Sequence, residues 1–173
     1  MEWLRAVAKA LGEKGIAIEW TSPTGLPITN LYRKALNKTP QLWLGDKVKR
    51  YKTAIGYGEF DKRKAINAIA PNLIHSFDAA LVVGATNTCA SEGIPLTTVH
   101  DTFATLASQA TRLREILQDE LVGLYKTRET NELLTKIRED ALRMAPSLDN
   151  ELQPVPVQGD LDLEQVRLAR YHV

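Results

Sequence analysis

Three stretches of this chain repeat apolar residues at helical spacing, each on one face, and that periodicity constrains the fold more than any other feature. The first is Trp3, Leu4, Val7, Ala8 and Leu11, with Gly12 and Gly15 placed to end it. The second runs from Ser108 to about Tyr125 and carries Leu113, Ile116, Leu117, Leu121 and Leu124. The third, about Arg128 to Met144, carries Leu133, Leu134, Ile137, Ala141 and Leu142. All three stripes read as core packing. Between the first two lie short β-forming runs bounded by glycine and proline, so the expected fold class is α+β, mostly helical with short β-hairpins.

A further helical region spans Asp61 to about Val83, and Pro71 marks a boundary or kink in it. At 100° per residue, Leu73, Ile74, Phe77 and Leu81 share one face. Asn72, His75 and Ser76 lie on the other, with Asp78 at its rim. Such a polar face is either solvated or turned toward a substrate groove. Ile16 to Trp20 reads as a strand, followed by turn chemistry over Thr21 to Pro27. Pro146 to Gly159 reads as a linker across the surface, and Asp162 to Gln165 as a capping box opening a short terminal helix.

Two hairpins carry the chemistry. In Gln41 to Thr53, Gly45-Asp46 is a two-residue loop and the second arm holds Lys47, Lys49, Arg50 and Lys52. The chain of 173 residues has a net charge of only +1, so any nucleic-acid contact must come from a local patch, and this is the one dense basic stretch. Lysines on an edge strand also guard against aggregation, so a solvated edge and a phosphate-contacting arm both fit. In Pro95 to Leu106, β-formers flank His100-Asp101, which would hold the Asp101 carboxylate at an exposed hairpin tip. A carboxylate there can ligate Mg²⁺, a hard ion that takes oxygen ligands.

Several classes are poorly supported. There is no P-loop. His75, His100, His172 and Cys89 show no zinc spacing, and no nucleophile elbow accompanies His100. The single cysteine, Cys89, precludes an internal disulfide, fits a reducing compartment, and reads as small buried packing. No apolar run is expected to reach membrane-spanning length, so no membrane is expected among the partners.

The order of the blocks is more specific than any one of them. Trp20-Thr21-Ser22-Pro23-Thr24-Gly25-Leu26-Pro27, the basic hairpin, Ala70-Pro71-Asn72-Leu73-Ile74-His75-Ser76-Phe77-Asp78, Val99-His100-Asp101-Thr102-Phe103 and Gly159-Asp160-Leu161-Asp162-Leu163 follow one another. Together they resemble the C-terminal portion of the single-subunit DNA-directed RNA polymerases of T7-like phages and mitochondria, over nearly the whole chain. The resemblance implies the palm and fingers of a polymerase hand, and template-directed ribonucleotidyl transfer with two Mg²⁺ ions. It makes Asp101 a metal ligand and His100 a shaper of the metal-bearing turn. It places Asn72, His75 and Asp78 along the active-site groove, with His75 toward the minor-groove edge of the new base pair. It makes the basic hairpin a promoter-specificity ribbon with Gln41, Lys47, Lys49, Arg50 and Lys52 as DNA contacts.

The implied partners are DNA template and promoter, RNA product, ribonucleoside triphosphates and an N-terminal polymerase portion. The other metal aspartate and the fingers helix with its lysine and tyrosine have no match here. The chain is therefore expected to be an inactive single-domain C-terminal fragment or a truncated prophage gene product, unable to hold the two Mg²⁺ alone. Its expected regions are 27–60 (basic hairpin), 61–125 (metal-bearing turn and flanking helices) and 126–173 (C-terminal helices and tail). The expected place is the cytoplasm of a bacterial host, ahead of the mitochondrial matrix. Ala104 stands where the family often has glycine, and Arg170-Tyr171-His172-Val173 is more polar than the family's tail. A non-catalytic DNA-binding or structural remnant, and a family A DNA polymerase palm, are the alternatives.

Overall fold

The computed structural model describes residues 2–126 and 129–168. Helix α1 (Glu2–Glu13) buries the expected stripe of Trp3, Leu4, Val7, Ala8 and Leu11. Gly15, at φ 71°, turns the chain out of it, in a conformation that costs glycine little. Strands β1 (Glu19–Thr21) and β2 (Pro27–Thr29) pair antiparallel around the 22–26 turn. Strands β3 (Arg33–Lys38), β4 (Gln41–Leu44), β5 (Lys47–Arg50) and β6 (Thr53–Phe60) then form a ribbon, with β4 pairing β5 near the loop and β3 pairing β6 at the base. The expected hairpin is thus the outer half of a longer arm. Leu36 lies over Gly58, where a Cβ would sit 3.1 Å from its Cδ2, and register shifts on either side bend the base.

Helix α2 (Lys62–Ser91) is the spine of the molecule, 30 residues long. Asp61 caps it by accepting the Lys64 N–H at 3.0 Å. Contrary to expectation, Pro71 neither ends nor divides the helix, and the helix continues past Val83. Pro71 and Asn67, whose carbonyl the proline leaves without a helical donor, are both on the exposed side, where water can serve that carbonyl. Burial of Ile69, Leu73 and Phe77, about 1.5–3 kcal/mol each, outweighs the roughly 3 kcal/mol cost of an interior proline. The helix stops where Gly93 takes φ 69° and the Ile94 N–H closes back on the Cys89 carbonyl at 2.8 Å.

By length and composition α2 could cross a membrane, which corrects the expectation that no segment approaches that length. Its setting is that of a core helix instead. Nine of its side chains are buried, and its outer face carries Arg63, Lys64, His75 and Asp78. The polar-face assignment needs two further corrections. Ser76 is buried, because its hydroxyl donates to the Leu73 carbonyl at 2.6 Å and accepts the Trp20 indole N–H at 3.2 Å. Ile74 is exposed, because the buried arc is centred on Ile69, Leu73, Phe77 and Ala80 and turns Ile74 outward.

Strands β7 (Thr97–Val99) and β8 (Thr102–Ala104) follow, then a 3₁₀ turn (Ala107–Gln109), α3 (Ala110–Lys126) and α4 (Glu129–Met144). The stripes of α3 and α4 face inward as the spacing requires. Arg128, the expected start of α4, lies outside the described residues, as does the tail Arg170 to Val173. Two apolar cores result. The first joins α1, β1, the N-terminal half of α2 and α4 through Leu11, Trp20, Ile69, Phe77 and Ile137. The second joins the C-terminal half of α2 to α3 through Ala85, Cys89, Ile94, Leu113, Ile116 and Leu117.

The segment expected to be a surface linker is not wholly on the surface. Leu148, in a 3₁₀ turn (Pro146–Leu148), and Leu152 are buried in the first core, and the Trp3 indole N–H donates to the Gln153 carbonyl at 3.0 Å. Asp162 accepts the Glu164 N–H at 3.1 Å just before the four-residue α5 (Gln165–Leu168). Ion pairs of Glu164 with Lys126 and of Arg167 with Asp119 dock α5 on α3.

Candidate functional site

The Val99↔Thr102 pair closes a two-residue turn at His100-Asp101. His100 sits at φ 55° and Asp101 does not, so the unusual backbone angle falls on the first loop residue. For a residue other than glycine this costs about 1–2 kcal/mol, and histidine accepts it more readily than most. Both side chains are exposed at the tip. Alternation puts Thr98 and Phe103 on one face of the hairpin, and Phe103 packs with Leu96 against the second core. The hairpin is held at its base and open at its end. Ala104 lies inside β8 opposite Thr97, without a positive φ, so nothing here needs the glycine it replaces.

The polar face of α2 is divided. Asn72 is half-buried, and its amide donates to Asn30 Oδ1 at 3.0 Å and to the Tyr32 hydroxyl at 2.9 Å. Asn30, itself buried, donates to the Ala65 carbonyl at 2.9 Å. This network fastens the base of the ribbon to α2. Asn30 and Tyr32 were missed in the sequence, where they sit in an unpatterned link between strands. His75 and Asp78 are exposed. Beside Asp78, the Tyr125 ring stacks on Phe77 with centroids 5.5 Å apart. Burial, and then the Asp78 charge, push the Tyr125 hydroxyl above its ordinary pKa.

No hydrogen bond or ion pair among the described residues joins Asp101 to Asn72, His75 or Asp78. The hairpin base rests on the second core, whose α2 members Ala85 and Cys89 lie about 15 and 21 Å along the helix from His75 at 1.5 Å rise per residue.

Along the outer ribbon, Gln41 faces Arg50, Leu42 faces Lys49, Trp43 faces Val48 and Leu44 faces Lys47. One face therefore presents Gln41, Trp43, Val48 and Arg50, and the other Leu42, Leu44, Lys47 and Lys49. All are exposed, Trp43 at 69%, as is Lys52 beyond the pair. Trp43 was not singled out in the sequence, although an aromatic among cations on a ribbon is a signal for base stacking.

As a cation ligand, Asp101 fits in chemistry and in access: an exposed carboxylate on a short turn. It is a single donor. Among the described residues no three His, Cys, Asp or Glu side chains gather into a metal-holding group. The second core shields Cys89, whose thiol burial pushes above its usual range.

A sequence profile of DNA-dependent RNA polymerases matches residues 1–151. The chloroplastic/mitochondrial DNA-directed RNA polymerase 2B of Nicotiana tabacum is 30% identical over 99% of this chain and 16% of its own length. The DNA-directed RNA polymerase of Pseudomonas phage phiKMV is 29% identical over 96% of this chain and 19% of its own length. A DNA-directed RNA polymerase 2A of Nicotiana tabacum is 29% identical over 99% of this chain and 48% of its own length. The chain thus spans less than half of each of these relatives.

Proposed function

The chain belongs to the DNA-dependent RNA polymerase family of the phage and organellar type, and from that premise we propose that it is the C-terminal palm-and-fingers part of an enzyme that copies a DNA template into RNA. The observation that carries the reading is the His100-Asp101 turn, held at its base by Phe103 and open at its tip. Asp101 supplies one carboxylate to Mg²⁺, and the remaining ligands come from a polymerase portion beyond the described residues. Bound there, Mg²⁺ would supply charge neutralisation for the transfer in which the RNA 3′-hydroxyl displaces pyrophosphate from the α-phosphate of a ribonucleoside triphosphate. His100 fixes the turn that aims the carboxylate.

His75 and Asp78 line the template groove, with His75 toward the minor-groove edge of the new base pair, and Asn72 steadies that groove from beneath through Asn30 and Tyr32. The ribbon within 27–60 meets promoter DNA and 61–125 carries the metal-bearing turn. With Asp101 the one carboxylate assigned to Mg²⁺ among the described residues, the isolated chain is not expected to polymerise. Its place of work is the cytoplasm of a bacterial host, as a phage or prophage protein. The family A DNA polymerase alternative loses its support, because the matches are to RNA polymerases.

The test is a chimera in which this chain replaces the matching segment of the phiKMV polymerase. Template-dependent RNA synthesis is expected, with a loss of at least 100-fold in Asp101→Asn. Synthesis undiminished in that variant would refute the reading. A second reading, a DNA-binding module without catalysis, is favoured by the exposed cationic ribbon alone. Salt-sensitive duplex binding by the chain, with a chimera that folds but makes no RNA, would select it.

A further inference from the structure

The segment that carries Asp101 leaves α2 at Glu92, its C-terminal cap, and returns at the start of α3. Its two ends are joined side to side. Arg112 donates from Nε to Glu92 Oε2 at 2.8 Å and from Nη2 to Glu92 Oε1 at 2.6 Å, a bidentate fork. Its Nη1 donates to Glu115 Oε2 at 3.0 Å, which fixes the guanidinium plane against α3. Further in, the Thr105 hydroxyl donates to the Pro95 carbonyl at 2.6 Å, and Leu96 and Phe103 rest on the second core. Beyond these only the three-residue strands β7 and β8 lead to the tip. A two-stranded hairpin so short has little stability of its own, so its orientation is inherited from its base.

We propose that Arg112 is a positioning residue for the Asp101 turn: its fork on Glu92 locks the end of α2 to the start of α3 and so sets where the carboxylate points. The proposal rests on the reading of Asp101 as a cation ligand. A planar fork fixes both distance and rotation between the two helices, whereas a lysine in its place would act as a point charge and leave rotation open. Most surface ion pairs stabilise little, and this one is distinguished by bidentate geometry and by its place at the neck of the excursion. Arg112 touches no reacting group; it acts through the backbone between Glu92 and Asp101.

The experiment follows amide hydrogen exchange by NMR in the full chain. Arg112→Lys and Arg112→Gln should speed exchange in β7 and β8 about five- to tenfold, while Ile69 and Leu73 in the first core stay within twofold of wild type. The charge swap Glu92→Arg with Arg112→Glu should bring the hairpin back toward the wild-type rate. Unchanged hairpin exchange in Arg112→Gln, or an equal rise in both cores, would overturn the proposal, since the pair would then be inert or merely a general stabiliser. Paramagnetic broadening by Mn²⁺ tests the underlying reading separately. Broadening centred on Thr102 should vanish in Asp101→Asn and weaken in Arg112→Gln. If it survives Asp101→Asn, the ligand reading fails, whatever the exchange data say of the clamp.

Discussion

Phe103 seats one face of the hairpin on the second core, and replacing it by alanine gives a sharp stability test. Phe103 is half-buried on the second core, and Val99, on the opposite face, is 64% exposed. A phenylalanine offers about 150–250 Å² of surface, so half of it, near 100 Å², is removed from water here. At roughly 25 cal/mol per Å² the loss is about 2.5 kcal/mol, below the 3–5 kcal/mol of a fully buried ring. With a urea m-value of about 2 kcal/mol per M, the unfolding midpoint of Phe103→Ala should fall by about 1 M. Val99→Ala removes surface that is already wet and should shift the midpoint by less than about 0.3 M. Urea titration of the two variants, followed by tryptophan fluorescence, makes the comparison. Equal midpoints would refute the claim that one hairpin face is anchored and the other open.

Three further outcomes follow from the same structure. Ser76→Ala strands the buried Trp20 N–H, which should cost about 1–3 kcal/mol in thermal melts, and the loss should shrink when Trp20 is already phenylalanine. Removing Lys47, Lys49, Arg50 and Lys52 together should flatten the salt dependence of duplex binding by up to about 3–4 in the log–log slope; an unchanged slope places the DNA contact elsewhere. Arg112 holds the Glu92 carboxyl below its ordinary value of 4.5, so the pair's contribution is complete above that value and disappears as pH falls through the lowered one. Hairpin exchange in wild type and Glu92→Gln should therefore differ at pH 6 and converge in strong acid.

The helical stripes were legible because each buries a whole face, and burial of that kind writes itself into spacing. Asp101 at an exposed tip was legible because β-formers flank it closely on both sides. The length of α2 was not, since Pro71 carries a breaker's identity and only its exposed position makes it harmless. Ser76 was read as polar surface because a hydroxyl's partner, here an indole 56 residues away, leaves no local trace. Leu148 and Leu152 were hidden in proline-bearing sequence without periodicity. The inner ribbon was missed because β3 is exposed throughout, its pairing with β6 is register-shifted, and the half-buried alternation in β6 falls on Gly56, Gly58 and Phe60, where the two glycines carry no apolar side chain. The meeting of Asn30, Tyr32 and Asn72 depends on tertiary closure alone.

A carboxylate that shares a metal ion with the reacting phosphate sets how much Mg²⁺ the reaction needs, so Mg²⁺ dependence reads the role proposed for Asp101. In the phiKMV chimera, the Mg²⁺ concentration for half-maximal RNA synthesis should rise at least tenfold for Asp101→Glu, which keeps the charge and moves it by a methylene, and should stay put for Lys47→Ala. An Asp101→Glu chimera with wild-type rate and wild-type Mg²⁺ requirement would contradict the account.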